Sequence, residues 1–309
     1  MFYIEIPADR IGELAEARVN HNGISRLFTY YIPCIYNQGK QLPLMITLHG
    51  RSFNAKQHLK DSKFDKIAEK EGFILLAPNC VTIDKDNKLA SEGYTIHDLE
   101  GIESNNIRWN VNFPLHNEMK IDDVGYINSM LDYFVKQFTV DKSRVYVSGM
   151  SNGALMTMYL VTKLQDKIAG AAPVCGIVPY DFMKEDLRSR IKIVVINNDN
   201  DPTVSINGYP DFAPPVRDAV GWFNQQFGIT GEAIVTQLPR TVEDDPTNIK
   251  KYEWADKGGS QIVYYVIEGG GHTWPGGTQY YPEERIGKLS RHYNASDWIW
   301  EELKDFRKY

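Results

Sequence analysis

Ser151 lies in Ser148-Gly149-Met150-Ser151-Asn152-Gly153, a Gly-x-Ser-x-Gly pattern. The β-forming run Val145-Tyr146-Val147 precedes it, and a proline-free segment at helical spacing, Asn152 to Leu164, follows it. A strand, a sharp turn and a helix in that order expose a serine hydroxyl at a helix N-terminus, where unpaired amides favour developing negative charge. Small neighbours are needed because a side chain on either flanking residue would collide with the strand or the helix. An ordinary Gly-rich turn shares this pattern, so the serine becomes a catalytic candidate only with partners.

A serine hydroxyl is a weak nucleophile unless a neutral imidazole takes its proton and a carboxylate holds that imidazole in the right tautomer. The histidines are His21, His49, His58, His97, His116, His272 and His292. His272 follows an apolar strand, Gln261 to Ile267, through Glu268-Gly269-Gly270-Gly271, which lets the backbone turn the imidazole inward. It is the candidate base, with His292 as the alternative and His49 as a hydrogen-bonding support. The acid is expected between serine and histidine in chain order. There the strand Ile191 to Ile196 opens into Asn197-Asn198-Asp199-Asn200-Asp201-Pro202. Pro202 keeps the preceding residue extended, which favours Asp201 over Asp199, the latter being suited to an Asx turn. Oxyanion donors are expected from the backbone N–H groups of Asn152 and Arg51, each contributing on the order of 3 kcal/mol to the barrier reduction. The Arg51 side chain is placed to hold a polar or anionic part of a substrate.

These residues need a scaffold that gathers strand ends. Leu44 to Leu48 and Phe73 to Ala77 are near-continuous apolar runs, as central strands covered on both faces read. Helices are predicted over Asp61–Glu71, Asp122–Phe138, Asn152–Leu164, Pro215–Phe227 and about Asn294–Phe306, with Val124, Ile127, Leu131, Phe134 and Phe138 as one apolar stripe. Arg26 to Ile32 reads as an early antiparallel strand. The alternation predicts an α/β fold with a mostly parallel sheet, helices on both faces and reactive groups at the carboxyl ends of the strands. Three stretches depart from it as irregular insertions, at about 79–119, 228–259 and 276–293.

The chain has 309 residues, a formal net charge of −6 and no linker or repeat that divides it, so one catalytic domain over 1–309 is expected. No Lys/Arg-dense face suits nucleic acid, and no apolar run reaches membrane-span length. The N-terminus lacks the build of a signal peptide; the chain reads as cytoplasmic, or as secreted or periplasmic with a leader already removed. Cys34, Cys80 and Cys175 show no metal-ligand spacing, and no metal or cofactor is expected. A Cys34–Cys80 bridge is open in an oxidising compartment; Cys175 reads as a buried thiol.

Four segments carry a family likeness: Asp122-Asp123-Val124-Gly125-Tyr126-Ile127, Asp141 to Gly153, Asp201-Pro202-Thr203-Val204, and Gly270-Gly271-His272-Thr273-Trp274-Pro275-Gly276-Gly277. From about residue 25 onward the chain resembles the esterases that join polyhydroxybutyrate depolymerases to the feruloyl and acetylxylan esterases of carbohydrate esterase family one. The resemblance implies an α/β-hydrolase fold and a metal-free serine mechanism with Ser151, Asp201 and His272 as its triad. Two departures stand out. Arg51-Ser52-Phe53 replaces a Gly-Gly that usually follows the His-Gly turn, and Arg108 replaces a cysteine often found before the residue matching Trp109.

The resemblance and the aromatic residues of the irregular stretches point to a feruloyl or acetyl ester of plant polysaccharide as substrate. Trp274 and Trp109 are the candidate stacking surfaces. Short hydroxyalkanoate esters are the alternative substrate, a non-catalytic carbohydrate-binding relative is the remote one, and peptidase or thioester chemistry uses the same groups. Nothing in the sequence sets the oligomeric state.

Overall fold

Leu42–Leu48 (β4) is buried at all seven positions, which only a strand with helices on both faces achieves. In the computed structural model, which describes residues 3–4, 10–37, 39–83, 107–256 and 259–308, it lies near the middle of a long sheet. The other strands are Tyr3–Ile4 (β1), Leu14–His21 (β2), Ile24–Tyr31 (β3), Ile74–Pro78 (β5), Val140–Met150 (β6), Gly170–Val174 (β7), Lys192–Asn198 (β8), Ile234–Gln237 (β9), Asn248–Asp256 (β10) and Gly259–Glu268 (β11). Among the described residues the sheet has eleven strands in the order β1-β2-β3-β5-β4-β6-β7-β8-β11-β10-β9. From β5 to β11 every pairing is parallel. The antiparallel strands β3-β2-β1 extend one edge and β10-β9 the other.

Alternation along the strands sorts the core into two layers. Leu44, Ile46, Val145, Val147, Ile193 and Val195 share one apolar cluster, and the intervening Met45, Tyr146, Val194 and Ile196 share the other. The first layer is closed by Asp123–Gln137 (α4), Asn152–Lys163 (α5) and Val216–Gln226 (α6), through side chains such as Phe134, Leu160 and Phe223. The second is closed by Ala55–Ser62 (α1), Phe64–Glu71 (α2) and Ala295–Leu303 (α8), through Leu59, Phe64 and Trp300. Short helices at Pro114–Glu118 (α3) and Glu283–Ile286 (α7) lie in connections. This is the mostly parallel sheet with helices on both faces expected from the alternation, and the α/β-hydrolase arrangement that the resemblance implies.

The structure corrects two boundaries. The helix expected over Asp61–Glu71 is a pair, α1 and α2, broken at Lys63, which sits left-handed at φ 57° and donates its N–H to Leu59 O. Asn54 begins α1 by accepting the Gln57 amide on Oδ1 at 2.9 Å. Residues 228–259, expected to be irregular, contain β9 and β10; charges and polar residues along Lys250-Lys251-Tyr252-Glu253 hide a strand that pairs antiparallel with β11. Of the insertion at 79–119, residues 84–106, including His97, lie outside the described residues. Cys34 is exposed and Cys80 is buried behind His49, and the disulfide bridge left open by the sequence is not formed between them. No helix among the described residues is long and apolar enough to cross a membrane.

Candidate active site

The carboxyl ends of β4, β6, β7, β8 and β11 converge on one edge of the sheet. At the end of β6 the chain turns into α5 through Ser151, held at φ 56° and ψ −119°. A non-glycine residue there is strained by about 1–3 kcal/mol, and the surroundings hold it: the Ser151 N–H donates to Val174 O at 2.9 Å. The flanking glycines are required sterically. A Cβ on Gly149 would lie 2.4 Å from Gly153 O, and one on Gly153 would lie 2.2 Å from Leu48 O. The helix start is therefore pressed directly against the end of β4.

The loop after β11 delivers His272 to the same place. Its N–H donates to Ile286 O, and its carbonyl accepts the Tyr280 hydroxyl at 2.5 Å, so both sides of the peptide are fixed. The imidazole Nδ1 lies 2.6 Å from Asp201 Oδ2. A carboxylate only accepts, so Nδ1 carries the proton and Nε2 is left as the acceptor. The other Asp201 oxygen accepts the amides of Thr203 and Val204, both at 2.8 Å, which fixes the carboxylate plane. Both residues are under a tenth exposed. Asp199 is on the surface, where Oδ1 accepts the Gly269 amide at 2.6 Å and pins the glycine loop. Buried His292 accepts the amides of Thr241 and Val242 on Nδ1 and contacts Thr247 O through Nε2, so both nitrogens serve the neighbouring loop.

A cavity of about 410 Å³ is lined by Ser151 and His272 together with Phe53, Asp61, Tyr280 and Tyr281. A second, of about 380 Å³, is also lined by Ser151, together with Asn152, Leu155, Ile177, Val204 and Phe212 among others. Arg51 lines both. The Gly50–Arg51 turn lies against the serine, since a Cβ on Gly50 would be 3.5 Å from Ser151 Cβ. His49 secures this turn: Nδ1 donates to Gly50 O at 2.8 Å and Nε2 accepts the Cys80 amide at 3.1 Å. Burial lowers its pKa to about 4 and keeps it neutral.

The two tryptophans are placed otherwise than expected. Trp109 is fully buried; its Nε1–H donates to His49 O at 2.9 Å and its amide donates to Asn152 Oδ1 at 2.6 Å. It ties the β4 turn to the start of α5. Trp274 is 1% exposed and packs edge-on against His58 and Phe64. Neither lines a cavity beside Ser151, because an indole supplies the largest apolar area for filling the core behind these loops.

Cys175, at φ 51° after β7, is a buried neighbour of the acid–base pair. Among the described residues, Cys175, Asp201 and His272 are the group whose potential ligand atoms lie within 4.8 Å of one another. The histidine and aspartate are committed to each other, and burial holds the thiol protonated, donating to Thr273 O and accepting from Asn198 Nδ2. These contacts make the group a hydrogen-bonded support. Asp61 and His58 near the cavity escaped the sequence reading, since no local pattern distinguishes them from ordinary helix residues, whereas Tyr280 is one of the aromatic residues of the irregular stretch at 276–293. Burial raises the pKa of Asp61 against the opposing hydrogen bond from Thr278.

Several known proteins resemble this chain in sequence or in fold. A family model described as the prolyl oligopeptidase family matches residues 87–212, the part that contains Ser151 and Asp201 and stops before His272. The bifunctional acetylxylan esterase/xylanase XynS20E of Neocallimastix patriciarum is 24% identical over 254 residues, 81% of this chain. The chain spans only 31% of that relative's length. Poly(3-hydroxyalkanoate) depolymerase C of Paucimonas lemoignei is 44% identical over a 50-residue stretch, 16% of this chain and 12% of its own length. The ferulic acid esterase AmCE1/Fae1A of Anaeromyces mucronatus superposes with a TM-score of 0.56 at 11% identity, covering 95% of this chain and 90% of its own, which shows the shared fold. The chain thus has the α/β-hydrolase fold and is similar, at low identity or over short stretches, to acetylxylan, feruloyl and hydroxyalkanoate ester hydrolases.

Proposed function

We propose that the protein hydrolyses carboxylic esters through an acyl-enzyme on Ser151. The observation that carries this reading is the 2.6 Å contact of His272 Nδ1 with Asp201, beside a cavity shared by His272 and the strained Ser151. His272 Nε2 takes the Ser151 proton as Oγ attacks the ester carbonyl, and Asp201 stabilises the imidazolium that results. The amides of Asn152 and Arg51 receive the oxyanion of the tetrahedral intermediate. His272 then gives its proton to the leaving alcohol, and water, deprotonated by the same imidazole, releases the acid. The chemistry is complete without a metal or cofactor.

The substrates favoured are feruloyl and acetyl esters of plant polysaccharide, by analogy with the acetylxylan esterase and ferulic acid esterase relatives. With both tryptophans buried, Phe53, Tyr280 and Tyr281 become the aromatic surfaces for a ring or sugar. Short hydroxyalkanoate esters form the second reading, supported by the local likeness to the depolymerase. Treatment with a serine-directed phosphonate followed by intact-mass measurement tests the mechanism: one adduct is expected, absent from Ser151→Ala. No adduct, or an adduct that persists in the variant, overturns it. A panel of p-nitrophenyl acetate, methyl ferulate, acetylated xylan and hydroxybutyrate oligomers then ranks the acyl groups.

A further inference from the structure

Two residues that depart from the family pattern, Arg51 and Arg108, line the same cavity of about 380 Å³ beside Ser151. The rest of its described lining is apolar, hydroxyl-bearing or amide, and includes no carboxylate. Arg108 is partly buried, with its guanidinium 3.9 Å from the Phe113 ring centroid and Nε buried without a hydrogen-bond partner among the described residues. Burial, and then the charge of Arg51, lower its pKa, and no carboxylate among the described residues offsets either effect. A guanidinium held on an apolar ring with a second guanidinium nearby is a cation whose cost of placement falls when an anion enters.

The position of His272 decides which half of an ester occupies this cavity. His272 lines the other cavity, the larger one, and it must protonate the leaving oxygen; the alcohol therefore lies on that side. The acyl group is left for the cavity lined by Asn152, Leu155, Ile177 and Arg108.

We propose that this second cavity accepts acyl groups that carry their own carboxylate, so that half-esters of dicarboxylic acids are substrates alongside the neutral esters named above, with Arg108 and Arg51 as the residues that select them. This rests on the assignment of Ser151 and His272 to ester hydrolysis. The test compares p-nitrophenyl hemiadipate with the same compound capped as its methyl ester, in the wild-type protein, Arg108→Gln and Arg108→Lys. A charge-assisted bond predicts a kcat/KM about tenfold or more higher for the hemiadipate. That ratio is expected to fall about tenfold in Arg108→Gln, to be largely restored in Arg108→Lys, and to decline in the wild-type protein as salt is raised. A wild-type ratio at or below one, or a ratio unchanged in soluble Arg108→Gln, overturns the proposal; if that variant does not fold, the wild-type ratio and its salt dependence decide alone. Calorimetry on Ser151→Ala with monomethyl adipate and dimethyl adipate makes the same comparison without turnover. Tighter binding of the anion supports the site even if no ester is hydrolysed, in which case the esterase reading alone fails. Equal binding overturns the anion site alone.

Discussion

Replacing Asp201 with asparagine exchanges one carboxylate oxygen for an NH₂ group while leaving the shape of the loop intact. Oδ1 accepts two amides, from Thr203 and Val204, so the asparagine carbonyl must stay there and its NH₂ must face His272 Nδ1. Two donors cannot meet, and the imidazole moves its proton to Nε2, where it can no longer accept from Ser151. The loss of a charge-assisted bond costs about 2–3 kcal/mol, and the wrong tautomer brings the barrier increase to about 4–5 kcal/mol, a fall in kcat of about 10³–10⁴. The assay is steady-state hydrolysis of p-nitrophenyl acetate, with thermal unfolding to verify that the variant is folded. Asp199→Asn is the comparison: its carbonyl can still accept the Gly269 amide, and kcat is expected to stay within a few-fold. A folded Asp201→Asn with near-normal kcat, or a collapse of activity in Asp199→Asn instead, refutes the assignment of the acid.

Other outcomes follow from burial and from close contacts. Gly153→Ala forces a Cβ to 2.2 Å from Leu48 O, a backbone clash expected to cost at least about 3 kcal/mol, read as a melting temperature lower by about 6–10 °C or as insoluble protein. Trp274→Ala opens a core cavity and should cost about 3–5 kcal/mol in denaturant unfolding, whereas Trp274→Phe keeps KM near its original value; a large rise in KM with intact stability would instead restore Trp274 to the substrate surface. His49 and His58 have folded pKa values lowered to about 4 and about 3 by burial, so between those values and about 6.5 the unfolded chain binds more protons. Stability is therefore fully present above about pH 6.5 and declines as pH falls toward 4, and His58→Gln should flatten that slope; a flat profile from pH 7 to pH 4 in the parent protein contradicts the buried neutral histidines.

Much of the scaffold is written in local patterns. The uninterrupted apolar run of β4, the apolar stripe of α4 and the Gly-x-Ser-x-Gly turn are each contained within about 5–15 neighbouring residues, the range over which strand and helix periods operate. Those patterns determined a parallel sheet with helices on both faces, and they placed Ser151 at a strand-to-helix corner. The charged alternation of β10 fell below that signal, and its strand identity comes from pairing with β11.

The choice among candidates was made by strand order. Asp201 and His272 are 71 residues apart and meet only because β8 and β11 are parallel neighbours. The same adjacency lets Asp199 reach the Gly269 amide, while His292 is turned toward the Thr241 loop. Trp109 and Trp274 looked like substrate surfaces in a one-dimensional reading because an aromatic in a loop carries no mark of which side it faces; packing turned both inward. Arg51 and Arg108, 57 positions apart in sequence, came to share one cavity wall for the same reason. Sequence by itself determined which groups of reactive type exist and which elements carry them. Tertiary structure decided which of them meet, since hydrogen bonds and charge act over a few ångströms and chain distance does not set that separation.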